Sequence, residues 1–159
     1  MELGEKALRL ILLAQKFAEA TPDFLETKGP GVGDRATAEF MERLRRNAKE
    51  MFCADYSEAT ICGNNGFSID FYFEEEKTAV EFAFSLDKPM NEFERDVFKC
   101  LLADDEGHPV RKLVLVGKPG AVARLTAPAP KCISNWVSRM HALEIEILEL
   151  SPAASSSSA

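Results

Sequence analysis

The sequence predicts an α/β (α+β) domain: a central mixed sheet containing an antiparallel meander, flanked by helices. Two features of the pattern carry this. Apolar residues recur at three- and four-residue steps up to about residue 52, then at two-residue steps from about residue 57. Beyond residue 89 helical and strand-like segments alternate, giving the order helix, helix, three strands, helix, strand, helix, strand.

Leu3, Ala7, Leu10, Ala14 and Phe17 form the stripe of an amphipathic helix over about 2–20, widened by Leu8, Ile11 and Leu13 and stopped at Thr21-Pro22. Gly29 to Gly33 reads as a loop. Asp34 is placed to cap a second helix over 35–52, with Phe40, Met41, Leu44, Ala48 and Met51 on its apolar face. Tyr56 to Ile61 reads as a short strand, followed by the turn signal Gly63-Asn64-Asn65-Gly66. Phe67 to Phe73 and Thr78 to Leu86 alternate as the next two strands, joined by a charged, solvated turn at Glu74-Glu75-Glu76-Lys77. Asn91 and Glu94 have the spacing of a capping pair for a third helix. Its buried arc is Phe93, Val97, Phe98, Leu101 and Leu102, with Arg95, Asp96 and Lys99 on the polar arc. Lys112 to Val116 is a continuous apolar run that suits a strand covered on both faces. A fourth helix over 131–142, with Trp136, Val137 and Met140 as core, and a last strand over 143–150 complete the domain.

The 159 residues suit one domain at 1–150, its core at about 35–150 and the helix over 2–20 added to it, followed by a disordered Ser/Ala tail at 151–159. A net charge of −7 counts against a module that simply coats nucleic acid, because phosphate contacts call for cations. It counts less against an enzyme that brings divalent ions to an acidic site. None of Cys53, Cys62, Cys100 and Cys132 has a C-x-x-C partner, and His108 and His141 are the only histidines, so a zinc centre is not expected. Reduced, mostly buried thiols suit a reducing compartment. Charged residues interrupt the first 20 positions, which excludes a signal peptide or membrane span there and makes the cytoplasm the expected location. A homodimer is compatible with the chain, although no residue pattern specifies one.

The chemistry concentrates in the hairpin. A turn of two residues (Glu75, Glu76) or four (Glu74 to Lys77) sets Asp70 across from Glu81, Ser68 across from Ala83 and Tyr72 across from Ala79; an odd turn breaks the pairing. Facing carboxylates repel, so a proton, a basic side chain or a divalent cation must offset the repulsion. Hard carboxylate oxygens suit Mg²⁺ or Mn²⁺. The plain alternative is two acids on a solvated strand face.

Asp70 on one strand, Glu81-Phe82-Ala83 on the next, then a helix over Asn91–Ala103 and a buried strand at Lys112–Val116, resembles the core of the PD-(D/E)XK restriction-endonuclease-like nucleases over roughly residues 35–150. The resemblance implies Asp70 and Glu81 as ligands of Mg²⁺ (or Mn²⁺) and DNA as the substrate of phosphodiester hydrolysis. It departs from the motif at two positions: Ile69 stands where a proline precedes the aspartate, and Ala83 stands where the lysine follows the glutamate. In some members the lysine sits on the following helix, which makes Lys99 the candidate to stabilise the transition state. Its bland counterpart is a solvated lysine. If Lys99 points elsewhere, the same scaffold reads as a catalytically inactive, nuclease-like protein-interaction or regulatory module. A small-ligand binding module is a third reading.

Other signals carry less. Glu42 flanks the apolar stripe of the second helix and is a weak candidate for a further acid. Arg43, Arg45, Arg46 and Lys49 on that helix either track a phosphate backbone or pair with Glu39, Glu42 and Glu50. Gly29 to Gly33 lacks the lysine of a P-loop.

Overall fold

A computed structural model describes residues 2–26, 32–84 and 89–153, the side chains of 32 and 33 excepted. Six helices and five strands follow in order: α1 (Glu5–Ala20), α2 (Pro22–Glu26), α3 (Val32–Phe52), β1 (Ser57–Ala59), β2 (Ile69–Phe73), β3 (Thr78–Ala83), α4 (Pro89–Asp105), β4 (Lys112–Gly117), α5 (Ala121–Leu125), α6 (Pro128–His141) and β5 (Glu144–Glu149). The strands form one sheet in chain order; β1, β2 and β3 are antiparallel neighbours, while β4 and β5 run parallel to β3. This is the expected α/β fold with a mixed sheet flanked by helices.

Strand alternation sends two sets of side chains to opposite faces. Phe71, Phe73, Val80, Phe82, Val114 and Val116 pack with Leu10, Ala14 and Phe17 of α1, Phe24 of α2 and Phe40 and Leu44 of α3. On the other face, Tyr72, Ala79, Leu113 and Leu115 pack with Phe93, Val97 and Cys100 of α4 and Val137 of α6. Each large side chain fully withdrawn from water contributes about 1.5–3 kcal/mol, so both helical layers are held mainly by apolar burial.

The described boundaries correct several expectations. Pro22 opens the short helix α2 instead of merely ending α1, since proline fits a first helical turn. α3 begins at Val32, so Asp34 lies inside its first turn; the Gly29–Gly31 part of the expected loop and residues 85–86, expected to end the third meander strand, lie outside the described residues. β1 shrinks to Ser57–Ala59. α4 begins at Pro89, which removes the cap assigned to Asn91. The helix α5 fills the connection after β4, and α6 starts at Pro128. Trp136 and Met140 are exposed, because Val137, one residue on, is the position that meets the sheet. Of the four thiols, Cys62 and Cys100 are buried and Cys53 and Cys132 are exposed. Among the described residues no helix is long and apolar enough to cross a membrane.

The turn between β2 and β3 differs from a solvated charge run. Glu74–Glu76 forms one 3-10 turn closed by Lys77 in the left-handed region, φ 49°. Glu76 reaches the start of α1, where its carboxylate accepts the backbone N–H groups of Lys6 (2.6 Å) and Ala7 (3.2 Å). Gly4, the residue before α1, has no side chain to do this, and a Cβ there would collide with the Glu76 carboxylate.

Candidate active site

The four-residue turn has even length, and it delivers the expected register: Tyr72 faces Ala79 and Phe71 faces Val80. One step further the paired backbone gives way to a side chain. The Phe82 N–H donates to Asp70 Oδ2 at 2.9 Å, so the half-buried Asp70 carboxylate takes over a rung at the end where β2 and β3 part. Glu81 shares that sheet face and lies under α4, within hydrogen-bonding reach of the Asp70 carboxyl.

α4 completes the cluster by an unexpected rotation. Its buried positions are Phe93, Asp96, Val97, Lys99, Cys100 and Ala103, whereas Phe98, expected in the core, is 52% exposed. The helix thus turns two charged residues inward and an aromatic outward. Lys99 Nζ lies 3.2 Å from Glu81 Oε1 and 3.2 Å from Asp96 Oδ1, bridging strand and helix. Glu81 and Asp96 are each 2% exposed and Lys99 is 8% exposed. Ions are rarely this buried unless paired.

Two buried carboxyls, Glu81 and Asp96, share one ammonium, and their protonation follows. Burial, then the charges of Asp70 and Asp96, push Glu81 well above the usual carboxylate range against the pull of Lys99. Burial likewise raises Asp96 to about 6, opposed by Lys99. For Lys99 burial works downward, yet Glu81 and Asp96 outweigh it and the net shift is upward, so the side chain stays an ammonium at neutral pH. It can stabilise negative charge or donate a hydrogen bond, but it is no general base.

Asp70, Glu81 and Lys99, all named from the sequence, meet at one place. Lys99 is not a solvated lysine. Asp96 was assigned to the polar arc, and its i, i+3 spacing to Lys99 was the available signal. Glu42 does not take part: it is exposed on α3, a helix of the opposite layer. The α3 cations are partly engaged, Arg43 lying 4.1 Å from the centre of the Phe17 ring and Arg45 pairing with Glu58 at 3.7 Å. The nearby thiols Cys62 and Cys100 are both pushed up by burial, which removes them as nucleophiles.

The donor set suits a hard divalent cation in part. Phe82 N–H and Lys99 engage one oxygen of each of Asp70 and Glu81, and the two carboxyls also face each other, so a cation would have to displace the proton held by Glu81 to use the other oxygens. Among the described residues no group of three or more metal-ligand side chains is assembled. A Mg²⁺ held here would rest on the two carboxylates and complete its shell with water and substrate phosphate, a common arrangement for that ion. Comparison with family models, curated proteins and solved structures finds no match to this chain.

Proposed function

We propose that the protein is a metal-dependent phosphodiesterase of the PD-(D/E)XK type, acting on DNA. The observation that carries the reading is the rotation of α4, which buries Lys99 and Asp96 against Glu81 while leaving Phe98 in water. A fold that breaks the hydrophobic rule at one helix face, beside two convergent carboxyls, has the character of a site. Asp70 and Glu81 would hold Mg²⁺ or Mn²⁺, and the ion when bound supplies Lewis acidity toward a phosphate oxygen and an acidified water. Asp70 stands at the half-buried, approachable side of the cluster. Lys99 keeps its proton and places positive charge where an attacked phosphate becomes more negative, the work lost at Ala83.

Cleavage of plasmid or oligonucleotide DNA with Mg²⁺ or Mn²⁺ tests this against Asp70→Ala and Glu81→Ala. Each substitution is expected to lower cleavage by about a hundredfold or more. Equal cleavage by all three proteins rejects the assignment. A second reading is favoured by the closed pairing of Lys99 with both Glu81 and Asp96: a nuclease-like scaffold without catalysis, serving as a protein-interaction or regulatory module. Calorimetry separates the two, since the inactive module takes up neither Mg²⁺ nor Mn²⁺ at millimolar concentration.

A further inference from the structure

β5 is the last strand of the sheet, and among the described residues no strand pairs with its outer edge. Glu144 N–H donates to Arg111 O and Leu150 N–H to Gly117 O, so the even-numbered residues of this stretch turn their backbone groups toward β4. Alternation then points the N–H and C=O groups of Ile145, Ile147 and Glu149 outward. Such an edge is a template for another strand, and monomeric proteins usually blunt it with free charges, proline or a bulge. Here two of the three edge glutamates are engaged within their own chain. Glu144 accepts the Ser138 hydroxyl at 2.9 Å, and Glu149 accepts the N–H groups of Gly120 (3.0 Å) and Val122 (2.8 Å).

Both helical layers present matching flanks beside this edge. On α1, helical spacing puts Leu8, Leu12 and Gln15 on one side. Gln15 hydrogen-bonds Ser151, just past β5, which locates that side at the outer strand. Leu8 is 44% and Leu12 58% exposed there. On α6, Lys131 lies two turns before Ser138 on the side that meets Glu144, and it is exposed. α6 runs antiparallel to β5, so Lys131 and Glu144 lie near opposite ends of the strand.

We propose that a second copy of this chain covers the edge, the two β5 strands pairing antiparallel about a two-fold axis perpendicular to the sheet. The axis reverses the strand, so each copy's Lys131 meets the other's Glu144, and the leucines of the two α1 helices meet beneath the seam. That self-complementarity is what an isologous contact requires. Charge also selects the register. Pairing centred on Glu146 would oppose two like carboxylates, whereas pairing centred on Ile147 sets Ile145 against Glu149 and Glu146 against Leu148, with all outward backbone groups bonded. The result is one continuous sheet through both copies.

Sedimentation of the full chain, from low to about 100 µM, reads the association directly. A dimer is expected. Lys131→Glu should weaken it about tenfold and Lys131→Glu with Glu144→Lys should restore it. Ile147→Pro removes an outward N–H without touching the β4 pairing and should abolish association, with a thermal melt verifying the fold. A wild-type chain that stays monomeric over that range overturns the proposal. So does a dimer indifferent to Lys131→Glu and to Leu12→Lys, two surface changes that leave the fold intact.

Discussion

At the scale of single residues, the cluster around Lys99 makes stability depend on pH in a direction opposite to that of a surface ion pair. Asp96 has its folded value raised to about 6 from an ordinary 3.8, chiefly by burial. Between those values the folded chain binds more protons than the unfolded one, so the stability Asp96 contributes is complete below about 3.8 and is lost as pH rises through 6. The change amounts to at most about 3 kcal/mol. Asp96→Asn cannot ionise, so its stability minus that of the wild type should grow as pH is raised from 4.5 to 7.5 in urea titrations. A difference that is flat or shrinks with pH would contradict the burial argument. The sequence brings Asp70 and Glu81 together because a strand of period two and an even turn fix which carboxyls share a face, whereas Lys99 is reached only through the resemblance to nucleases whose lysine sits on the following helix. Asp96 is missed because helical periodicity ranks charge as outward. The turn of α4 that buries Asp96 and exposes Phe98 goes with the pairing of Lys99 to Glu81, 18 positions earlier in the chain, a contact that no local pattern contains.

At the scale of elements, the hairpin turn does two jobs. Its length sets the register that brings Asp70 beside Glu81, and its last glutamate caps a helix from the far end of the sequence. Three consecutive glutamates look alike in a sequence, so Glu76 could not be separated from Glu74 and Glu75, which do remain exposed. The Glu76 carboxylate satisfies orphan N–H groups at the positive end of α1, where Gly4 offers no oxygen. Glu76→Ala should therefore lower unfolding stability by about 1–2 kcal/mol. Glu74→Ala should change it by less than about 0.5 kcal/mol. Equal effects of the two, measured by urea denaturation at pH 7, would show that the cap contributes nothing. Boundaries were the poorest part of the reading, and proline explains most of them. Pro22, Pro89 and Pro128 each open a helix, whereas the sequence pattern reads Pro22 as a stop, places Pro89 just ahead of its helix and starts the last helix three residues after Pro128.

The whole molecule carries an argument about charge. The mixed sheet is legible because a helix between successive strands after β3 calls for parallel crossovers, whereas the chain order of the five strands is a finding of the structure. The chain is acidic, with a net −7, and the helix richest in cations, α3, offsets five of them with four acids and has Arg43 on Phe17 and Arg45 paired with Glu58. A duplex meeting this surface finds few cations to release counterions against. If DNA is the substrate, its affinity must come through a divalent ion shared between phosphate and the Asp70–Glu81 pair, not through a basic groove. Anisotropy of a labelled duplex should then show binding in Mn²⁺ that disappears in chelator and in Asp70→Ala. The logarithm of affinity should fall with that of monovalent salt with a slope no steeper than about −2, the signature of about two neutralised phosphates. Tight binding in chelator with a steep salt slope would mean that lysines and arginines hold the DNA. The acid pair would then have no part in recognition, and the case for it as a metal centre would lose its substrate.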